Sequence, residues 1–172
     1  MSAELDVDGR TFVFDGDWSV TKYDEWAFHR NQMNATGAKA VDIVALDAEY
    51  VYLIEVKDYT HPETERVPIA DLPLTVAQKA RDTLAGLVAA QRRASRQEEA
   101  SFAAGALRRP DLHVVLHVEL PQGKGGRLRN PEGELATLRS SLRTRARGID
   151  PHAVVTSHAL PHAQWRTRRT TP

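Results

Sequence analysis

The stretch "YVYLIEVKDYT", Tyr50 to Thr60, decides the fold. Its first two thirds form an apolar, β-rich run of the kind a buried strand needs, and its last third carries Glu55, Lys57 and Asp58. Just upstream, "AKAVDIVALD" (38–47) is a second β-rich run, separated from the first by the polar break Asp47-Ala48-Glu49. Two such runs around so short a break read as a β-hairpin. With Ala48-Glu49 as a two-residue loop, opposed positions have numbers that sum to 97, so Asp42 lies across from Glu55 and Ala40 across from Lys57. Opposed residues share a sheet face. One face then reads Val41/Val56, Ile43/Ile54 and Ala45/Tyr52; the other reads Leu46/Val51, Val44/Leu53, then Asp42/Glu55 and Lys57.

Carboxylates at opposed strand positions, with Cβ atoms about 5 Å apart, repel and destabilise the pair. A divalent cation between them turns repulsion into ligation, and hard oxygen ligands suit magnesium or manganese. Lys57, two residues beyond Glu55, projects from the same face toward the same place. There its ammonium can stabilise developing charge or orient a water. The acid-x-Lys triplet alone carries no weight, because 23 acids and the few lysines of a 172-residue chain yield roughly 0.7 such triplets by chance. The context gives it weight: an acid on an apolar strand, a second acid facing it, and an acid upstream on a helix. The competing reading is a strand end whose charges reach solvent.

Around the hairpin, "LDVDGRTFVFDGDW" has Asp8-Gly9 and Asp15-Gly16 as turn signals, which predicts an N-terminal arm or hairpin over 1–18. In "SVTKYDEWAFHRNQMNATG" Tyr23, Trp26, Ala27 and Arg30 recur at helical spacing, and Gly37 closes a predicted helix. "HPETERVPIADLPL" is a proline-rich loop, followed by the strongest helix pattern in the chain, "TVAQKARDTLAGLVAAQRRASRQEEA" from Thr75. "LHVVLHVEL" from Leu112 predicts a strand, "ELATLRSSLRTRAR" from Glu134 a helix, and "AVVTS" from Ala153 a last short strand. The order predicts a single α/β domain over 19–160, with a mixed central β-sheet flanked by helices.

Composition narrows the classes further. There is no cysteine, so disulfide frameworks and thiolate metal sites are excluded. No apolar run reaches the roughly 18 residues of a membrane span, and no leader pattern opens the chain, so the expected address is cytoplasmic, away from membranes. Net charge is zero, but residues 1–86 hold 16 acids against 8 Lys and Arg, whereas 87–172 hold 7 against 15. That asymmetry permits a basic face for phosphate, or the two halves mix in space once folded.

With these residues in place, the sequence resembles the PD-(D/E)XK nuclease superfamily. Asp42 and the triplet Glu55-Val56-Lys57 match its hairpin motif, Glu25 in "YDEWAFHR" matches an acid on the first helix, and Gln78 or Lys79 matches a polar residue on the next helix. Over about residues 19 to 120 the chain is most similar to nuclease-related (NERD) domains and Holliday-junction-resolvase-like proteins. Two departures stand out: Val41 precedes Asp42 where the family name implies proline, and Gly37 replaces an extra strand. The resemblance implies a restriction-endonuclease-like core of order α-β-β-α-β and Mg2+- or Mn2+-dependent phosphodiester hydrolysis, with DNA preferred to RNA. It implies that Asp42, Glu55 and the Val56 carbonyl hold the metal, that Glu25 assists and that Lys57 supports attack. The alternative is an inactive nucleic-acid-binding or protein-interaction module of the same fold, the front part of a larger protein. A homodimer is compatible with either.

Other groups carry less. His113 and His117 sit four apart, roughly 13 Å along a strand, too far to share one ion. "QGKGGRLRN" lacks the pattern of a phosphate loop and reads as a surface turn or a basic loop that touches nucleic acid. Arg139, Arg143 and Arg147 make a basic helix stripe. The stretch 161–172, with Arg166, Arg168 and Arg169, is a basic tail or linker that tracks phosphates or is disordered.

Overall fold

The hairpin forms in the register that its sequence dictates. In a computed structural model, which describes residues 2–61, 64, 67–121 and 131–170, strand β4 (Ile43–Leu46) pairs antiparallel with β5 (Tyr50–Asp58), Ile43 facing Ile54 and Leu46 facing Val51. The turn is held by the Asp47 carboxylate, which accepts the backbone N–H groups of Glu49 and Tyr50 at 2.8 and 2.7 Å. This is an Asx-type closure that lets an Ala-Glu loop serve without glycine. Ahead of the pair runs β3 (Ser19–Lys22), antiparallel to β4.

After β5 the chain enters α1 (Leu72–Arg93), with Pro73 in its first turn where a missing N–H costs nothing. The long helix expected from Thr75 through Ala100 is broken. Ala94 and Arg96 are extended, and α2 (Gln97–Leu107) starts anew with Glu98 and Glu99 in its first turn. Glu99 explains the break: its buried carboxylate accepts the N–H groups of Ala27 and Phe28 at 2.8 and 3.1 Å, tying α2 to a distant segment. The chain returns as β6 (Asp111–Glu119), parallel to β5, crosses α3 (Pro131–Ala146) and ends the sheet with β7 (Val154–Thr156), parallel to β6.

The main sheet has the order β3-β4-β5-β6-β7, antiparallel on one side and parallel on the other, and helices cover one face. The expected mixed α/β sheet is therefore present. Val44, Leu46, Leu53, Val114 and Leu116 meet Val76, Ala80, Leu87 and Leu142 of the helices. The opposite face is covered by a second sheet, β1 (Ser2–Val7), β2 (Arg10–Asp15) and β8 (Arg166–Arg169), through Phe12, Phe14 and Trp165 against Ile43, Tyr52, Ile54 and Val115.

Three expectations are corrected here. The helix over 19–36 is β3 followed by a 3-10 turn (Tyr23–Glu25), a short π turn (His29–Met33) and a second 3-10 turn (Asn34–Thr36). The β-branched opening of that segment pairs with β4 instead of coiling. Part of the expected loose tail is strand β8, paired with β2, Arg166 facing Val13 and Arg169 facing Arg10. Val41 does not face Val56. Pairing stops at Ile43, and Val41 turns to the helical side, its N–H donating to Thr83 Oγ1 at 3.1 Å. The loop 122–130, read as a surface turn or basic loop, lies outside the described residues.

Candidate functional site

The polar end of the hairpin meets the start of α1. Glu55 points from β5 to the helical side and is fully buried. Its Oε1 accepts Lys79 Nζ at 2.7 Å, with Lys57 Nζ at 3.8 Å. Its Oε2 is buried without a hydrogen-bond partner among the described residues. Burial, then the neighbouring Asp42 carboxylate, pushes the Glu55 pKa up to about 8, and the two ammonium groups oppose the rise.

Asp42 stands just before β4. Its Oδ2 accepts the Val56 N–H at 2.7 Å, taking the place of the ladder partner that β4 does not extend far enough to supply. Burial raises its pKa as well, against Lys79, the Val56 N–H and Lys57. Within a strand a residue's N–H and C=O point to the same side, so the Val56 carbonyl is directed toward the Asp42 edge. Lys57 is nearly buried and borders, with Lys39, Val67, Asp71, Thr75 and Lys79, a cavity of about 450 Å³. Asp42, which precedes β4, lies beside Glu55 and Lys57 through its bond to the Val56 N–H; it is not the opposed strand partner of Glu55 that the sequence predicts, nor is Ala40 that of Lys57, because β4 pairing stops at Ile43.

Two of the expected site residues lie differently. Glu25 is not at this cavity: its side chain is half exposed, pairs with Lys22 at 3.7 Å and borders a separate hollow with Trp26, Arg96 and Phe102. Because the segment is a 3-10 turn, its neighbour Asp24 shares the electrostatic surroundings of Asp42 and Lys79 instead. Gln78 is half-buried, and it is the next residue, Lys79, that reaches Glu55. Both Lys79 and Gln78 fit the sequence pattern; choosing between them requires the rotation of α1, which the burial of Val76, Ala77 and Ala80 sets. Lys39, in the loop before β4, carries no sequence signal at all.

The remaining basic and histidine groups are placed elsewhere. His117 is buried, with Nδ1 3.0 Å from Thr156 Oγ1 and Nε2 3.2 Å from Glu119. His113 stacks on Tyr50 with ring centroids 4.9 Å apart. Arg139 and Arg143 are exposed on α3, Arg143 donating to the Ala153 carbonyl at 3.0 Å, and Arg147 lies in the turn just past the helix end, so the expected stripe is cut short. Arg166 and Arg168 are paired with Asp15 and Glu4 at 2.7 and 2.8 Å, so these tail arginines meet the chain's own acids.

The fit of a metal rests on Asp42 and Glu55. Among the described residues no group of three or more acidic or histidine side chains is poised to hold an ion. Magnesium, however, is commonly held by one or two carboxylates plus ligand phosphates and waters, and the orphaned Oε2 of Glu55 is an oxygen of the right kind. No helix among the described residues is long and apolar enough to cross a membrane.

Comparison with known proteins overturns the nuclease reading. No family model matches the chain, and no solved structure matches it significantly. The chain is instead 36% identical, over an alignment 141 residues long, to a cysteine–tRNA ligase of Neisseria meningitidis serogroup A. That match is to an enzyme of a different family, and neither DNA nor a homodimer draws support from it. It covers 64% of this chain and 20% of the ligase, so the chain is similar to about one fifth of that enzyme.

Proposed function

We propose that this chain is an RNA-contacting module of a protein related to cysteine–tRNA ligases, with transfer RNA as the class of partner. The observation that carries the reading is the cavity bordered by Lys39, Lys57 and Lys79, the last of which also bonds the buried Glu55. Ammonium groups around a concave site recognise phosphate, and backbone phosphate contacts supply most of the affinity for nucleic acid. The kind of nucleic acid is taken from the ligase to which the chain is similar.

In this reading Asp42, Glu55 and the Val56 carbonyl hold one Mg2+ ion, with Mn2+ as a substitute, which offsets the charge of the two acids and a bound phosphate. Lys57 and Lys79 keep the carboxylates in place and face the ligand. Glu25 and Gln78 have no part in it.

The test is fluorescence anisotropy with a tRNA transcript, an unstructured RNA of equal length and a DNA duplex, with Mg2+ present. The tRNA is expected to bind most tightly. Lys39→Ala and Lys57→Ala should each weaken binding and lower the slope of log affinity against log salt by about one. Equal binding of all three nucleic acids, unaffected by either substitution, would overturn the reading.

A further inference from the structure

We propose that the open edge of β3 is a docking groove for an extended peptide segment of a partner protein, which adds to the main sheet as a further strand. The groove lies apart from the lysine-bordered cavity, and the inference does not depend on the RNA-contacting reading.

Backbone pairing is the first argument. β3 is an outer strand of the main sheet, with β4 as its neighbour. The Tyr23 N–H donates to the Asp42 carbonyl at 3.0 Å, so Thr21 and Ser19, at alternate positions, also face β4, and Val20 and Lys22 face outward. The Lys22 carbonyl caps the 3-10 turn Tyr23–Glu25 and is the first acceptor of that turn. This leaves the Val20 N–H, the Val20 carbonyl and the Lys22 N–H without a hydrogen-bond partner among the described residues. Such a row of groups is what an added strand pairs with.

Shape is the second. The edge is recessed between the two layers that cover the sheet. Leu5 of β1 stands on one side, Trp26 and Phe102 of α2 on the other, and with Val20, Thr21 and Lys22 they border a hollow of about 540 Å³. Leu5 and Val20 belong to the packing between the two sheets, Trp26 and Phe102 to the helical core. Side chains of a strand point alternately to its two faces. A docked segment therefore sets one residue against Leu5 and the next against the aromatic pair, whose rings meet edge-on at 5.6 Å.

Charge is the third. Lys22 pairs with Glu25 at 3.7 Å, and the Glu99 carboxylate is taken by the Ala27 and Phe28 N–H groups. Of the charged groups around the hollow, Arg96 and Glu98 remain without an ion pair among the described residues. One cation and one anion suit a segment that carries an acid and a base among apolar residues. They do not suit a phosphate backbone, which calls for an excess of cations.

The experiment uses the full chain and a panel of labelled peptides of about eight residues, in which valine or leucine alternates with threonine and one glutamate and one lysine take different positions. Fluorescence anisotropy measures binding, and hydrogen exchange followed by NMR reads the Val20 and Lys22 amides. Both amides should exchange fast in the free protein, and the tightest peptide should slow them at least about tenfold. Lys22→Pro removes one outward N–H at a φ of −80°, which proline accepts. It should weaken binding about fivefold or more, whereas Lys22→Ala should change it by less than about twofold. Arg96→Ala should weaken the glutamate-bearing peptide severalfold and leave its glutamine version unchanged. N-methylation of one alternate set of peptide amides should abolish binding and that of the other set should leave it, a comparison that needs no variant of the protein. Failure of the whole panel to bind, binding that leaves the two amides unprotected, or equal loss from both methylated sets overturns the proposal. Protection of the same amides by a single-stranded RNA, or by raising the protein concentration with a matching rise in mass by light scattering, assigns the edge to RNA or to a second copy and overturns it too.

Discussion

Lys79 on α1 and Glu55 on β5 meet at 2.7 Å across the boundary between helix and sheet, and the second oxygen of that carboxylate is buried with no hydrogen-bond partner among the described residues. The group is held in a state that favours its proton. Its pKa is raised from 4.5 to about 8, so between those pH values the folded protein keeps a proton that the unfolded chain has released. Stability contributed by the neutral acid is complete below the lower value and is lost as pH rises through the upper one. Glu55→Gln should therefore gain stability relative to the parent protein as pH rises from 5 to 8, by up to several kcal/mol. Urea denaturation at three pH values reads the difference, and a gap that does not change with pH contradicts the assignment. Added Mg2+ should shrink the gap at high pH, because a bound cation favours the ionised carboxylate.

On the opposite side of the main sheet Arg10 donates from Nε to Asp58 at 2.7 Å, and both side chains are buried. The same carboxylate accepts Thr60 through both its backbone N–H and its hydroxyl, which together with Arg10 holds Asp58 below the usual carboxylate range. Arg10→Met leaves that charge uncompensated and should cost about 3–5 kcal/mol. The double variant Arg10→Met, Asp58→Asn should recover part of the loss, and chemical denaturation of the full cycle measures the coupling.

Gly86 of α1 lies under the ring of Tyr23. A Cβ built there would come within 1.9 Å of the tyrosine oxygen, which is itself buried with no hydrogen-bond partner among the described residues. Gly86→Ala should destabilise by about 1–3 kcal/mol despite the better helix propensity of alanine. Tyr23→Phe removes an unsatisfied hydroxyl and should be neutral or stabilising. Combined with Gly86→Ala, it should rescue much of the cost. Additive losses in the double variant would contradict this packing.

Lys39 and Lys79 border one cavity but differ in what else they do. Lys39 is exposed, whereas Lys79 also bonds the buried Glu55. Lys39→Ala should leave stability within about 0.5 kcal/mol while weakening phosphate binding. Lys79→Ala should lower both, and thermal melts run beside binding titrations separate the two effects.

The register of the β4–β5 hairpin was legible because the side-chain period in a strand is two, so one turn position fixes every opposed pair. Glu55 and Lys57 share a face of β5 by that rule, whereas Asp42 lies beyond the last paired residue of β4 and comes near them through its bond to the Val56 N–H. Asp24 was not legible, and Lys79 was legible only as one of two candidates with Gln78, because facing depends on the rotation of a helix or turn. In the segment after β3 a helix was expected and tight turns formed, so Asp24 and not Glu25 shares the surroundings of Asp42 and Lys79. The split between α1 and α2 depends on Glu99 reaching two N–H groups some 70 positions earlier, and no local window contains that information. The function was less legible than the geometry. A three-residue motif with a second acid nearby is compatible with several chemistries, and the similarity to a ligase lies in many positions outside it.

The pairing of β8 with β2 has a consequence for how the chain is made. Arg10–Asp15 finds its first partner, β1, a few residues away, but its other neighbour is Arg166–Arg169, near the far end of the sequence. During synthesis the β1–β2 hairpin exists long before that neighbour does. Phe12 and Phe14 then lack the cover of Trp165, and one strand edge stands open for most of the chain's production. Closing so long a loop is also a slow, non-local step. Molecules arrested before residue 166 are the ones expected to stick to one another through that edge, and they set the demand for chaperones during expression.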